Sequence, residues 1–277
     1  MNNFIKKSTL FVLYFLVLTY LVAIVIERLG IYKDHVHGSE VYHSIEKSKQ
    51  VSQAKKLLLG DSVGNQLFPN KKCNDTINSL ACNQAISLIG HYILLNNYLE
   101  AGNLVSTVYL IYVPKSFLNN LDQLYTYHYF LKPFYNKEYI SLISANAQNQ
   151  INKIPYHDLC QIPYSLTTNW APVFNPKDEK NYTFLSPISV EYLKKIKELG
   201  EKYNFKLIML PPLVSDQEKP TIDKIDKKEI EKNKLTDVFK NYFTEMIFIN
   251  DSNFYSDGTH LLNAEKHVTY YKNRFMK

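Results

Sequence analysis

The chain has 277 residues, of which 45% are hydrophobic and 21% are charged. That length and hydrophobic content allow a sizeable core, which excludes a disordered or fibrous protein and fits one domain or two small ones. Basic residues number 32 and acidic residues 26, but only Arg28 and Arg274 are arginines. Nucleic acid is not expected as a partner, because phosphate and base readers favour the arginine fork and no basic run here alternates with aromatics.

An uncharged apolar run, STLFVLYFLVLTYLVAIVI, occupies residues 8–26. Its roughly 19 residues match the thickness of the hydrocarbon core of a membrane at about 1.5 Å per residue. Lys6 and Lys7 precede the run, whereas Glu27 and Arg28 cancel just after it. This lysine excess predicts a cytoplasmic N-terminus and an extracytoplasmic main domain.

A cleaved signal peptide is the alternative reading of this run. The run is longer than a usual signal-peptide core, and bulky ERLGIY follows it where a small-residue cleavage site would stand. The sequence therefore predicts a single-pass membrane protein. Its cytoplasmic segment, transmembrane helix, juxtamembrane linker and main domain are predicted at 1–7, 8–26, 27–54 and 55–277.

Beyond the linker, short apolar runs alternate with segments of helical periodicity. Buried strands are predicted within KKLLLG (55–60), LVSTVYLIYVP (104–114), FKLIMLPPLV (205–214) and EMIFIN (245–250). Helices are predicted in the second part of 77–102 and over 190–204, 229–243 and 264–275. Strands that alternate with helices predict a parallel sheet covered on both faces.

The segment 115–186 is rich in tyrosine, punctuated by proline and weakly periodic, so we interpret it as an insertion with helical pieces beside the core. It is a candidate wall for a substrate site. Its stretch LDQLYTYHYFLKPFYNKEY, residues 121–139, offers aromatic faces that can stack on sugar rings. A packing surface studded with tyrosines is the other interpretation, and the sequence leaves both open.

Three cysteines do not define a disulfide framework. In an extracytoplasmic domain Cys73 and Cys82 are close enough in sequence to form a bridge, and Cys160 is left over. Three unpaired thiols are the equal alternative, since the geometry of a bridge does not follow from sequence. The sequence holds no P-loop, no GxGxxG and no cluster with metal-ligand spacing, so neither a cofactor nor a metal is expected.

Two strand ends carry residues suited to nucleophilic catalysis. Asp61 and Ser62 follow the first strand directly, where a tight turn at a helix start exposes a hydroxyl. Ser62 is therefore a candidate nucleophile, and its backbone N–H is a candidate oxyanion donor. Asp257 and His260 follow the last strand in YSDGTHLL. His260 is placed to take the Ser62 proton while Asp257 fixes the imidazole tautomer.

Taken alone, each motif has an ordinary structural explanation. A GDS turn commonly caps a helix, and a single loop histidine is usually structural. What favours a catalytic site is their joint placement at the two ends of an alternating α/β pattern, because ligands bind at the carboxyl ends of parallel strands.

GDSV after the first strand together with SDGTHL after the last resembles the SGNH (GDSL-type) hydrolase superfamily. The single anchor is similar to that of its envelope members, the polysaccharide O-acetyltransferases and DltD-like proteins. The resemblance implies a three-layer α/β/α, flavodoxin-like domain over 55–277. It also implies hydrolysis or transfer of acyl esters through Ser62, Asp257 and His260.

The middle of the chain departs from the family pattern. The family's second block supplies a glycine N–H to the oxyanion, and its counterpart here is NQAIS at 83–87, which makes Ser87 the candidate second donor beside Ser62. The third block normally carries an asparagine after the middle strand, whereas that strand here ends in YVPKSF. A non-catalytic domain is therefore an alternative, since one lost donor costs a few kcal/mol of transition-state stabilisation.

The leading functional hypothesis is a membrane-anchored serine esterase or O-acyltransferase that acts on acyl esters of a cell-envelope glycan. Hydrolysis and transfer are equally open, because the two differ only in the acceptor. The alternative is a catalytically weak binding or assembly component of an envelope polysaccharide pathway, with protein partners from that pathway. A lipid esterase is a third possibility and predicts a more apolar substrate wall than the insertion suggests.

Overall fold

The computed structural model describes residues 2–72, 76–174 and 180–276. The strands are β1 Lys56–Gly60, β2 Ile77–Ser79, β3 Thr107–Ile111, β4 Lys206–Leu210, β5 Leu213–Ser215 and β6 Ile247–Ile249. The helices are α1 Asn2–Leu29, α2 Ser39–Ser48, α3 Ser62–Leu67, α4 Ser87–Glu100, α5 Lys132–Phe134, α6 Ala145–Ile151, α7 Tyr164–Thr167, α8 Pro187–Tyr203, α9 Lys219–Asp223, α10 Lys228–Lys232 and α11 Glu265–Phe275.

Four parallel strands form the central sheet in the order β2-β1-β3-β4. β1 pairs with β3 from Lys56 opposite Thr107 to Gly60 opposite Ile111, and β3 pairs with β4 in the same way. This order places β1 at the centre of the sheet with a strand on each side. The structure confirms the predicted α/β class with a parallel sheet, and the strand order is that of doubly wound flavodoxin-like sheets.

Alternate residues of each strand enter two separate cores, because successive side chains of a strand point to opposite faces. Leu57 and Leu59 pack in the core beneath α4 and α8, whereas Leu58 packs with Val63 and Tyr271 of α3 and α11. Both faces of the sheet are therefore covered, which explains why β1 reads as an uninterrupted apolar run.

The predicted strand over 205–214 is divided at Pro211 and Pro212. β4 ends at Leu210, and the chain resumes after the two prolines as β5, which pairs in parallel with β6 in a separate two-stranded sheet. Proline has no N–H to donate to a strand ladder, so the prolines end the pairing with β3 and redirect the strand.

The N-terminal apolar run lies in α1, whose residues Asn3–Leu29 are long and apolar enough to cross a membrane, with a mean hydropathy of 2.7. Most of its side chains are exposed on the surface of the protein. The length and composition of α1 fit a membrane-spanning helix. Its membrane-spanning role and its orientation stay predictions.

Two predicted segments differ from the structure. Within 27–54, proposed above as a linker, α2 places Val41 and Ile45 in the same core as α4. The helix predicted over 229–243 is wrong for most of its length, since α10 ends at Lys232. The physical reason is Lys234, which adopts a left-handed φ of 59°, after which the amide of Leu235 donates to the carbonyl of Ile230 and closes the helix end.

Residues 115–186 lie between β3 and β4 and contain short helices, with no strand in the parts that the structure describes. The tyrosine-rich stretch 121–139 contributes Tyr127, Phe130, Phe134 and Tyr139 to the large core. This supports the packing interpretation of that stretch over a sugar-stacking surface. Cys82 and Cys160 are buried thiols, and the Cys73–Cys82 bridge that the sequence left open involves Cys73, which lies outside the described residues.

His91 of α4 lies fully buried, with its ring edge against Tyr112 at 5.3 Å between ring centroids. Neither ring nitrogen has a hydrogen-bond partner in the described parts of the chain. Burial disfavours the charged imidazolium and lowers the pKa of His91 to about 3.

We predict that His91→Leu makes the protein less sensitive to acid. Between pH 6.5 and about 3 the unfolded chain protonates His91 and the folded chain does not. The free energy of unfolding therefore decreases as the pH is lowered, by up to about 1.4 kcal/mol per pH unit. Thermal unfolding of the full chain between pH 7 and 4 tests this, with His35→Leu at an exposed site as the control. Equal acid sensitivity of wild type and His91→Leu would contradict the prediction.

Candidate active site

The end of β1 is held unusually close to β3. A Cβ atom added to Gly60 would lie 2.7 Å from the carbonyl oxygen of Ile111, and backbone cannot yield to such a contact. The amide of Asp61 donates to that same carbonyl at 3.1 Å. Glycine is therefore required immediately before Asp61, and the close approach directs the chain into the turn that begins α3.

The carboxylate of Asp61 is fully buried and organises this turn. Its Oδ1 accepts from the amides of Val63 and Gly64 at 3.0 and 3.3 Å, which caps the first turn of α3. Its Oδ2 accepts from the amide of Val113 at 2.8 Å and from the hydroxyl of Ser116 at 2.7 Å. Burial raises the pKa of Asp61, and these four hydrogen bonds oppose that rise.

Side chains that the sequence did not single out tie the neighbouring loops to Asp61. The Ser116 hydroxyl also lies 2.9 Å from Oε1 of Gln84, and the Asn119 side chain donates to the Gln84 carbonyl at 2.7 Å. Three loops, after β1, β2 and β3, are thus linked through one buried network. No spacing rule connects these residues in sequence, because the network depends on strand order.

Ser62, His260 and Asp257 form a continuous chain of hydrogen bonds. Nε2 of His260 lies 2.8 Å from Oγ of Ser62, and Nδ1 of His260 lies 2.5 Å from Oδ2 of Asp257. The three side chains come from the loops after β1 and β6 and are separated by almost 200 positions, yet the fold brings them together. This is the spatial arrangement of a nucleophile, a general base and an orienting carboxylate.

Asp257 is held ionised by its partners. Partial burial disfavours the carboxylate, but hydrogen bonds from the His260 ring and from the amides of His260 and Thr259 lower the pKa of Asp257 to about 2. Its Oδ1 accepts those two amides at 2.9 and 2.8 Å, so the side chain is fixed within its own loop. The charged carboxylate is therefore available to orient His260 at any physiological pH.

Gln66, one turn after Ser62 on α3, fixes the histidine loop to the helix that begins at Ser62. Its side-chain oxygen accepts from the Leu261 amide at 2.9 Å, and its side-chain nitrogen donates to the Leu261 carbonyl at 3.4 Å. Sequence reasoning missed Gln66, although its i+4 spacing from Ser62 places both residues on one face of α3.

The two candidate oxyanion donors are placed differently. Ser62 is the first residue of α3, and its amide has no acceptor among the residues described. Ser87 is 1% exposed, its amide donates to the Gln84 carbonyl, and its hydroxyl accepts from Ile89. Ser87 therefore uses its polar groups within the start of α4. In the same loop the Gln84 amide donates to no described residue.

A cavity of about 390 Å³ adjoins the histidine loop. Gly258 and Thr259 form one side, the loop after β3 from Val113 to Lys115 forms a second, and β5 with the following segment up to Ile225 forms a third. Lys115 closes the boundary near the histidine loop through a contact between its Nζ and the hydroxyl of Thr259. Of the insertion, its first residues and Thr183 and Phe184 reach this cavity, so the tyrosine-rich stretch is not its wall.

Comparisons with known proteins add little. No protein-family model matches the chain, and no curated protein matches it. A solved structure from Streptococcus pneumonia, provisionally described as a platelet activating factor, aligns with 92% of this chain and 99% of its own at 12% identity. Its TM-score of 0.37 is too low to carry an argument about fold or function. The fold and the site together define an α/β protein with a parallel sheet and a Ser–His–Asp arrangement at its carboxyl edge.

We predict that Asp61→Asn destabilises the protein by about 3 kcal/mol. The new amide group keeps one acceptor but sets an NH2 against the buried amide of Val113, which can only donate. Thermal unfolding of the full chain in detergent measures the effect. Asp216→Asn, at an exposed position, is the matched control, and an equal small shift in both variants would contradict the role given to Asp61.

Proposed function

We propose that the protein is a membrane-anchored serine esterase or O-acyltransferase of the SGNH type. The single observation that carries the proposal is the hydrogen-bond chain from Ser62 through His260 to Asp257. The position of this chain at the carboxyl edge of a parallel sheet supports it, because reactive sites of such folds lie there.

In the first half of the reaction, Oγ of Ser62 attacks the carbonyl carbon of an ester and its proton passes to Nε2 of His260. Asp257 holds Nδ1–H and stabilises the imidazolium that forms. The negative charge that develops on the carbonyl oxygen is received by the Ser62 amide, and we assign the Gln84 amide as the second donor in place of Ser87. Collapse expels the alcohol, which takes the proton from His260.

In the second half, a hydroxyl compound attacks the acyl group on Ser62. His260 removes its proton, and the ester bond to Ser62 breaks with return of that proton to Oγ. Water as the attacking compound gives hydrolysis, and a sugar hydroxyl gives transfer. We propose an envelope glycan as donor or acceptor, with the main domain outside the cytoplasm, because the lysine excess before α1 favours that orientation.

A second candidate function is a binding or assembly component with little catalysis. The observation that favours it lies after β3, where the resemblance calls for an asparagine donor. Asn119, the first asparagine after that strand, gives its side-chain amide to the Gln84 carbonyl and is buried. An oxyanion hole with two backbone donors and no side-chain donor stabilises the transition state by about 3 kcal/mol less than a complete one.

We predict that the full chain hydrolyses p-nitrophenyl acetate and that Ser62→Ala and His260→Ala each lower kcat/KM by about 10³-fold or more. Removing either group breaks the proton path, so the double variant is no slower than the single ones. Initial rates in detergent measure this, and an activity-based fluorophosphonate probe should label wild type and not Ser62→Ala.

Matched controls are Ser252→Ala and His267→Ala, which change the same residue types outside the hydrogen-bond chain. Both should retain wild-type rates. Hydrolysis that persists in Ser62→Ala would overturn the esterase proposal, and wild-type protein that neither hydrolyses the ester nor takes up the probe would favour the binding role.

A further inference from the structure

The cavity beside the histidine loop differs from the substrate wall expected of an enzyme for polar glycan esters. Eight of its fifteen lining residues have aliphatic or aromatic side chains, from four separate segments, and the charged residues Lys115, Glu218 and Lys224 with three threonines make up most of the rest. The eight are Val113, Pro114, Leu118, Phe184, Leu213, Val214, Ile222 and Ile225. Such a wall binds apolar groups by removing their surface from water.

The cavity is also larger than an acetyl group needs. A water molecule takes up about 30 Å³ in the liquid, and a methylene group takes up a similar volume. The cavity volume of about 390 Å³ therefore exceeds an acetyl methyl severalfold and is sufficient for a chain of several carbons. Deeply buried Phe184, Leu213 and Ile222 line it, so its depth is set by packed side chains rather than by a mobile surface loop.

The location of the cavity ties it to the reacting groups. Val113, at one wall, donates its amide to Asp61, the residue immediately before Ser62. Gly258 and Thr259, at another wall, lie between Asp257 and His260 in the chain. The cavity is thus bounded by the two loops that hold the hydrogen-bond chain. Ser62 and His260 are not among the lining residues, so these two loops are what connects the cavity with the reacting groups.

We propose that the cavity binds the acyl chain of the ester and selects medium-length chains, about six to ten carbons, over acetyl. This inference rests on the proposed esterase function and specifies its acyl group. Each methylene removed from water adds to the binding free energy, so even partial burial of six carbons favours the longer acyl chain by at least about tenfold. Ile222 of α9 is a buried lining residue, so a change in the size of its side chain changes the volume of the cavity directly.

The test compares p-nitrophenyl acetate with p-nitrophenyl octanoate as substrates of the full chain in lipid nanodiscs. Wild type should show a kcat/KM at least about tenfold higher for octanoate. Ile222→Trp fills the cavity and should lower kcat/KM for octanoate at least about tenfold more than kcat/KM for acetate. Ile222→Ala, which enlarges it, should move the preference to longer chains, and Ile140→Trp outside the cavity should change nothing.

Binding provides a readout that does not depend on catalysis. Calorimetric titration of octanoate into Ser62→Ala nanodiscs, with empty nanodiscs as reference, should show saturable binding that Ile222→Trp abolishes. Ser62-dependent hydrolysis with no chain-length preference, or with equal losses on both esters in Ile222→Trp, overturns this inference and keeps the esterase. Octanoate binding without any Ser62-dependent hydrolysis overturns the esterase and keeps the acyl site. Absence of both overturns both.

A separate observation concerns the junction of α1 with the rest of the protein. Oε2 of Glu27, near the end of α1, accepts a hydrogen bond from the Tyr164 amide at 2.8 Å. The ring of Tyr32 stacks on that of Tyr164, with centroids 5.4 Å apart. The helix therefore does not leave the domain through a free tether, since α7 is fixed against its last turns.

This junction extends into the apolar run of α1. Ala23 is only 3% exposed, and it lies three residues inside the run that ends at Ile26. Three residues of helix correspond to about 4.5 Å along the helix axis. If 8–26 fills the hydrocarbon core, the elements packed on the end of α1 reach the level of the lipid headgroups or slightly below.

The segment around α7 has the side chains suited to that level. Leu166 and Trp170 are each 43% exposed and Tyr156 is 69% exposed, and the rings of Tyr156 and Trp170 lie 6.4 Å apart between centroids. Exposed tryptophan and tyrosine are typical of the membrane interface, where an apolar ring and a polar edge are both satisfied. We infer that 156–170 rests in the lipid interface and fixes the domain against the membrane.

Trp170 is the single tryptophan of the chain, so its fluorescence reports this surface directly. In nanodiscs with brominated phosphatidylcholine, wild type should lose about half or more of the emission seen with unbrominated lipid. The control is the double variant Trp170→Phe with Tyr270→Trp, which moves the reporter to the exposed face of α11 on the other side of the sheet and should keep its emission. Equal, negligible quenching in both proteins would overturn the inference.

Discussion

The buried carboxylate of Asp61 is the constraint on which the rest of the site depends. It lies at the end of the central strand and accepts hydrogen bonds from the first turn of α3 and from the loop after β3. A buried charge is tolerated only when such donors surround it. Because those donors belong to different strand ends, satisfying Asp61 assembles the carboxyl edge of the sheet and presents the adjacent Ser62 at its surface.

Ser62 and His260 are held in place by separate sets of hydrogen bonds. Ser62 is fixed by the cap at the start of α3. His260 is fixed by Asp257 within its own loop and by the hydrogen bond that the Leu261 amide donates to Gln66. Both sets of hydrogen bonds are made between groups of the protein itself. Preorganised groups of this kind lower the cost of charge development, which is the main source of catalysis in acyl transfer.

The apolar cavity changes the expectation for substrate. The tyrosine-rich stretch that offered sugar-stacking faces is committed to the core, and an aliphatic wall stands beside the histidine loop instead. One ester can contain both a polar alcohol group and an apolar acyl group, because the two lie on opposite sides of the reacting carbonyl. The proposed membrane anchor and the exposed aromatic residues near it would place the proposed enzyme where amphiphilic esters are found.

Sequence alone determined the apolar helix, the α/β alternation and the paired motifs around Ser62 and His260, because local periodicity and turn chemistry encode these features. It did not determine the early end of α10, set by a left-handed Lys234, or the core role of α2, which depends on packing against α4. The links of Ser116, Gln84 and Gln66 to the site, and the cavity itself, were decided by tertiary structure. Each joins segments that strand order brings together, and strand order is a property of the whole chain.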